Sequence, residues 1–161
     1  MIAIVDSNVP IIANGHSDQA SEACVSACVL RLESLTESGK VVLDTNWRVL
    51  REYQANLNVN RQAGPGDQFL LWVLRNRRNP ERCPLFPLDE MEGERSFLQF
   101  PDDPALSSFD PADRKFVALA VVSGAPVWNA VDPDWWECIE ALNRNGIQVE
   151  FLCPDFIAAE N

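Results

Sequence analysis

The chain has 161 residues, 47% of them hydrophobic and 23% charged. These are ordinary values for one globular domain, and they exclude disordered, collagen-like and coiled-coil classes. With 13 basic against 24 acidic residues the formal charge is -11, which excludes diffuse attraction to nucleic acid or an anionic membrane; a polyanionic partner then requires a local basic patch or bound cations.

In chain order, residues 2–5 (Ile-Ala-Ile-Val) form an apolar run ending at Asp6. Runs with no polar face belong to strands covered on both sides, as in a parallel sheet. The single histidine, His16, reads as a loop residue after Gly15. With only one histidine, Ser-His-Asp or multi-histidine metal chemistry is not expected. Residues 17–38 carry Cys24, Cys28, Leu32 and Leu35 at helical spacing, with Gly39 as the stop. Five cysteines, an odd number without a C-x-x-C pair, predict neither a disulfide framework nor a zinc site, and Cys24 and Cys28 read as small buried hydrophobes. Residues 41–43 repeat the strand pattern and end at Asp44, which reads as a helix cap. A helix follows from Thr45 or Asn46 to Leu57, with Thr45 as cap and Trp47, Leu50, Tyr53 and Leu57 on its apolar stripe. A third runs over 67–78, starting at Asp67 after Gly-Pro-Gly.

Seven of the 11 prolines fall between Pro65 and Pro111, which predicts an irregular stretch at about 83–110. Asp110-Pro111-Ala112-Asp113 then opens a helix as cap, first-turn proline and acid, with Phe116, Val117, Ala120 and Val121 as its buried face and Gly124 and Pro126 closing it. Residues 126–131 read as a strand ending at Asp132, followed by a helix from Trp135 to Asn145 and a last strand over 147–153. Alternating strands and helices imply a single α/β domain over 1–161, a three-layer sandwich around a mostly parallel sheet. No apolar run approaches the roughly 20 residues that span a bilayer and no signal-peptide pattern opens the chain, so the expected location is cytoplasmic.

In such sheets the ligand site lies beyond the carboxyl ends of the strands. Asp6 and Asp132 follow apolar strands, Asp113 sits in the first turn of a helix, and Glu52 lies in the helix after the second strand. Carboxylates gathered there repel one another by about 4 kcal/mol per pair at 4 Å and an effective dielectric of 20. Divalent cations relieve that repulsion, and oxygen-only ligands suit Mg²⁺ or Mn²⁺, whose chemistry is to activate water and clamp a phosphate. Each acid also has a plainer reading: Asp113 satisfies backbone N–H groups of its helix, Glu52 faces solvent, and Asp132 or Asp134 caps the next helix.

Ile4-Val5-Asp6-Ser7-Asn8-Val9 resembles the first motif of PIN-domain nucleases, and Val49-Leu50-Arg51-Glu52-Tyr53 is similar to their second. Asp110-Pro111-Ala112-Asp113 leading into Phe116-Val117-Ala118-Leu119-Ala120 resembles the third, and Val127 to Trp135, with Asp132-Pro133-Asp134-Trp135, the fourth. The resemblance covers nearly the whole chain except residues 61–105. It departs at Ala130, where the family usually has Thr or Ser to hydrogen-bond behind its last acids. It implies a PIN-like fold and a metal-dependent endoribonuclease leaving 5′-phosphate and 3′-hydroxyl ends. In that frame Asp6, Asp113 and Asp132 hold one cation, Glu52 holds a second or positions water, and Asn8 and Asp134 assist. It also implies an RNA substrate, with DNA left open, and an antitoxin partner if the chain is the toxin of a toxin-antitoxin pair; a homodimer is also left open. The alternative is a PIN-like binding or scaffold module without catalysis. Arg75, Arg77 and Arg78 belong to an arginine-rich stretch at 61–82, the one basic island, and are the expected phosphate contacts.

Overall fold

The computed structural model describes residues 1–15, 18, 20–130 and 132–153. His16 lies outside them. The first strand, β1 (Ile2–Val5), has Ala3, Ile4 and Val5 fully buried, as a strand covered on both faces requires. It runs past Asp6 into a short helix, α1 (Asn8–Ala13), which the sequence pattern did not reveal. The following helix, α2 (Glu22–Ser38), starts where the Ser21 hydroxyl accepts the Cys24 N–H and buries Cys24, Cys28, Leu32 and Leu35.

Two dipeptide strands, β2 (Lys40–Val41) and β3 (Leu43–Asp44), are halves of one extended segment. The N–H groups of Lys40 and Val42 face β1, and those of Val41, Leu43 and Thr45 face residues 82–86. The helix α3 (Arg48–Asn56) begins later than expected, and its cap is not Thr45: Asp44, fully buried, accepts the N–H groups of Arg48 and Val49 at 3.0 Å each. Trp47 takes a left-handed φ of 60° to make that entry. The next helix, α4 (Pro65–Asn76), opens two residues before Asp67, which accepts the Gly64 N–H as the acid of a capping pair.

Inside the proline-rich stretch a further strand, β4 (Leu85–Phe86), pairs with β3. Asp110 caps a 3-10 turn, Pro111–Asp113, that runs into α5 (Arg114–Ser123). Phe116, Val117 and Ala120 are buried as expected, but Val121 is exposed and Ala118 and Leu119 take its place inside. Gly124 ends α5 with φ 73°, and β5 (Val127–Asn129) follows. The helix expected from Trp135 to Asn145 is two short ones, α6 (Pro133–Glu137) and α7 (Ile139–Arg144), broken at Cys138. The last strand is β6 (Val149–Phe151).

The strands align in the order β2-β1-β5-β6, every ladder parallel, with β3 and β4 extending the pattern beyond β2. This is an α/β fold. The helices α1, α2 and α4 pack on one another, α5 packs on β1 and β5, and α3 contacts both α4 and α5. No helix among the described residues is long and apolar enough to cross a membrane.

The cysteines depart from expectation. Cys24 on α2 and Cys153, just past β6, form a disulfide across a sequence separation of 129, beside the buried free thiol of Cys28. Cys24 and Cys153 fall far apart in the chain and in no recognisable spacing, so the pattern could not announce the pair. Disulfides persist in oxidising compartments, so this bond and the expected cytoplasmic location pull in opposite directions.

Candidate active site

The first acid stands where β1 leaves the sheet. Asp6 donates its backbone N–H to Trp128 O at 3.0 Å, which locks it beside β5, and its side chain is 3% exposed. One carboxylate oxygen accepts the Asn8 N–H (3.1 Å) and the other accepts the Asn129 amide (3.3 Å). Asn129 is fully buried at the end of β5 and faces two ways: its Oδ1 also accepts the Asp132 N–H at 3.2 Å. One side chain therefore ties Asp6 to the backbone of Asp132. Asp132 in turn caps α6, its Oδ1 accepting the Asp134 N–H at 3.0 Å. Asp113 arrives from the 3-10 turn, whose geometry Asp110 fixes by accepting the Ala112 N–H.

These placements bring one carboxylate oxygen each from Asp6, Asp113 and Asp132 within 4.8 Å of one another. Each pair at that separation costs roughly 3 to 4 kcal/mol at an effective dielectric of 20 if all are ionised. The protons respond accordingly. Burial, reinforced by Glu52 and Asp132 against the relief of the Asn8 N–H and Lys115, raises Asp6 to about 7. Burial, then Asp6 and Asp132, raise Asp113 to about 8. Burial also raises Asp132, in spite of the Asp134 N–H. Burial and mutual repulsion therefore favour the protonated acids near neutral pH.

Glu52 borders the trio from α3. Its neighbour Tyr53 is buried and donates its hydroxyl to Val5 O at 2.5 Å, pinning α3 to the residue before Asp6. Glu52 Oε1 accepts from Lys115 Nζ at 2.6 Å, while Oε2 is buried without a hydrogen-bond partner. A buried carboxylate oxygen left unpaired is costly.

No protein-family model matches the chain, and no curated protein or solved structure matches it either.

The other expected site residues sort by position. Asn8 is adjacent, but its side chain serves the backbone: Oδ1 accepts the Ala130 N–H at 3.0 Å. Ala130 has no polar side chain to offer, and the side-chain hydrogen bond to Asp6 comes from its neighbour Asn129. Asp134 is exposed on α6, outside the trio. Arg75, Arg77 and Arg78 are not brought to the acids. Arg75 lies in the last turn of α4, Arg77 is its C-cap and Arg78 follows, and Arg82 O in the loop after them accepts the N–H of Val41, opposite Ala3 near the start of β1. Sequence reasoning missed Asn129 and Lys115. Asn129 matters only through the register that sets Val5 against Trp128, and nothing in a lone Asn at a strand end signals that.

Proposed function

We propose that the chain is a divalent-metal-dependent nuclease of the PIN type that hydrolyses RNA phosphodiester bonds. The observation that carries the reading is the convergence of Asp6, Asp113 and Asp132, residues far apart in sequence, on one point beyond the carboxyl ends of the parallel strands. The donor set is all oxygen, which fits Mg²⁺ or Mn²⁺, and the buried Oε2 of neighbouring Glu52 has no hydrogen-bond partner that a cation or its water would compete with. Asp6, Asp113 and Asp132 would hold the cation. A cation bound there supplies charge neutralisation for the phosphate and lowers the pKa of water. The chain's own residues do the rest. Asn129 and the Asn8 N–H hold Asp6 in one rotamer, the capping bond to the Asp134 N–H holds Asp132, and Glu52, steadied by Lys115, is the acceptor for a proton of the attacking water. Asp134 and Asn8 act from behind this set, as helix-cap donor and backbone tie.

The test is cleavage of single-stranded RNA by purified protein. The wild type cuts with Mn²⁺ and stops with EDTA, and Asp6→Asn loses at least about 100-fold, more than removing a group behind a ligand would cost. Equal activity in the two proteins removes the assignment. A folded protein with neither cleavage nor a Mn²⁺-dependent rise in Tm leaves the binding-module alternative, because a ligand bound only by the native state must stabilise it.

A further inference from the structure

An RNA-cutting site on a chain of charge -11 needs a local means of holding a polyanion, and the structure offers one beside the acids that the sequence did not disclose. A pocket of about 320 Å³ opens between α3, the loop at 90–97 and the turn that carries Asp113. It is within the roughly 300–1,000 Å³ range of ligand sites. Its cationic lining is Arg48, Arg51, Arg95 and Lys115, and its acids are Glu90 and Glu94.

The wall and the free charges are distinct. Arg48 is committed: it forms an ion pair with Glu90 at 2.5 Å and lies over the Phe97 ring at 5.6 Å. The loop is held in place by the antiparallel bridge between Glu90 and Phe97 and by the Met91 N–H to Ser96 O at 3.0 Å. Lys115 is committed to Glu52. Arg51 and Arg95 are exposed. The Arg51 guanidinium donates to Asn46 O, a contact to a neutral carbonyl, so its charge is not spent on a carboxylate. Pro111 and Ala112, which line the pocket, directly precede Asp113 in the chain, and Lys115 lines it while donating to Glu52.

We propose that this pocket binds the sugar-phosphate backbone of the RNA strand next to the bond to be cut, with Arg51 and Arg95 contacting its phosphates. Guanidinium forks suit phosphate oxygens bidentately. Arg48, Glu90 and Phe97 form the rigid side, and Glu94 opposes the phosphates, which keeps binding weak enough to release the product. The proposal rests on the nuclease reading for its substrate and deepens it by locating the strand.

The experiment measures binding of a short fluorescein-labelled single-stranded RNA by anisotropy across a salt series. It is done in an Asp6→Asn background with Mg²⁺, so that binding is read without cleavage. Two double variants remove equal charge: Arg51→Ala with Arg95→Ala, and Arg77→Ala with Arg78→Ala. Each exposed cation on a single strand accounts for about 0.7 in the slope of log K against log salt. The first pair is therefore expected to weaken binding about tenfold or more and flatten the slope by about 1.4. Circular dichroism and Tm confirm that each variant is folded. An unchanged slope in the Arg51/Arg95 variant overturns the proposal, as does loss confined to the Arg77/Arg78 variant or an Asp6→Asn parent that does not bind at all. RNA binding that depends on Arg51 and Arg95, in a protein whose wild type never cleaves, sustains the pocket while the nuclease reading falls. Cleavage with binding indifferent to Arg51 and Arg95 does the reverse.

Discussion

Asn129 shows how much a site can depend on a residue with no chemistry of its own. Its amide donates to Asp6 and its carbonyl accepts the Asp132 N–H, and it is wholly buried. Asn129→Asp is nearly isosteric and keeps the acceptor, but it turns the donor facing Asp6 into a fourth carboxylate. The expected outcome is a loss of about 1–3 kcal/mol for metal-free protein near neutral pH, measured by urea unfolding, with most of it recovered on acidification as the new pair shares a proton. Asn129→Ala removes the same donor without adding charge, so its loss changes less with pH. Equal pH dependence in the two variants would mean that the side chain only fills space. At this scale the acids themselves were legible, because an Asp after an apolar strand or at a helix start has few places to point. Asn129 and Lys115 were not, since their roles depend on which atoms tertiary packing sets opposite them.

Among the elements, the join between α1 and α4 is close and was not visible in the sequence. Asn14, the residue after α1, caps α4 from outside: its Oδ1 accepts the N–H groups of Gly66 (2.8 Å) and Asp67 (3.1 Å), and its amide donates to Asp67 Oδ1 at 3.0 Å. A Cβ on Gly66 would lie 1.9 Å from Pro10 O, a backbone atom that cannot move without shifting α1. Gly66→Ala should therefore cost about 1–3 kcal/mol through overpacking. Gly124→Ala, where φ is 73° and nothing lies within 4 Å, should cost about 1–2 kcal/mol from backbone strain alone. Because α1 begins two residues after Asp6, the first change should also weaken Mn²⁺ binding and the second should leave it intact, as titrations of Tm against Mn²⁺ would show. The Gly-Pro-Gly that opens α4 was legible as a helix start, but its second glycine, Gly66, was not legible as a contact. The same limit explains the misplaced cap of α3: Asp44 and Thr45 are equivalent by pattern, and only the burial of Asp44 under Arg48 and Val49 decides between them. The dipeptide β4 sits among prolines and exists because β3 offers it an open edge.

The excess of acid over base, which excluded diffuse attraction to nucleic acid, is concentrated in part in the trio of Asp6, Asp113 and Asp132. The trio makes stability depend on pH with a definite sign. Burial and mutual repulsion push Asp6 up to about 7 and Asp113 up to about 8 in the folded protein, from the ordinary carboxylate value of 3.8. Between those limits the folded state binds more protons than the unfolded one, so stability falls as pH rises. Their stabilising share is complete below about 4 and is lost as pH climbs through about 7 to 8. Metal-free protein, kept in EDTA, should therefore show a Tm that declines from about pH 5 to about pH 8. Self-repulsion of the whole chain acts in the same direction, so the trio must be separated from it. Asp6→Asn with Asp113→Asn removes both titrations while leaving the remaining surface acids in place, and should flatten the decline. A divalent cation competes with those protons, so Mn²⁺ should raise Tm strongly at about pH 8 and little at about pH 5. A Mn²⁺ shift of the same size at both pH values, or a decline as steep in the double Asn variant, would show that the acids neither bind the cation nor set the pH dependence.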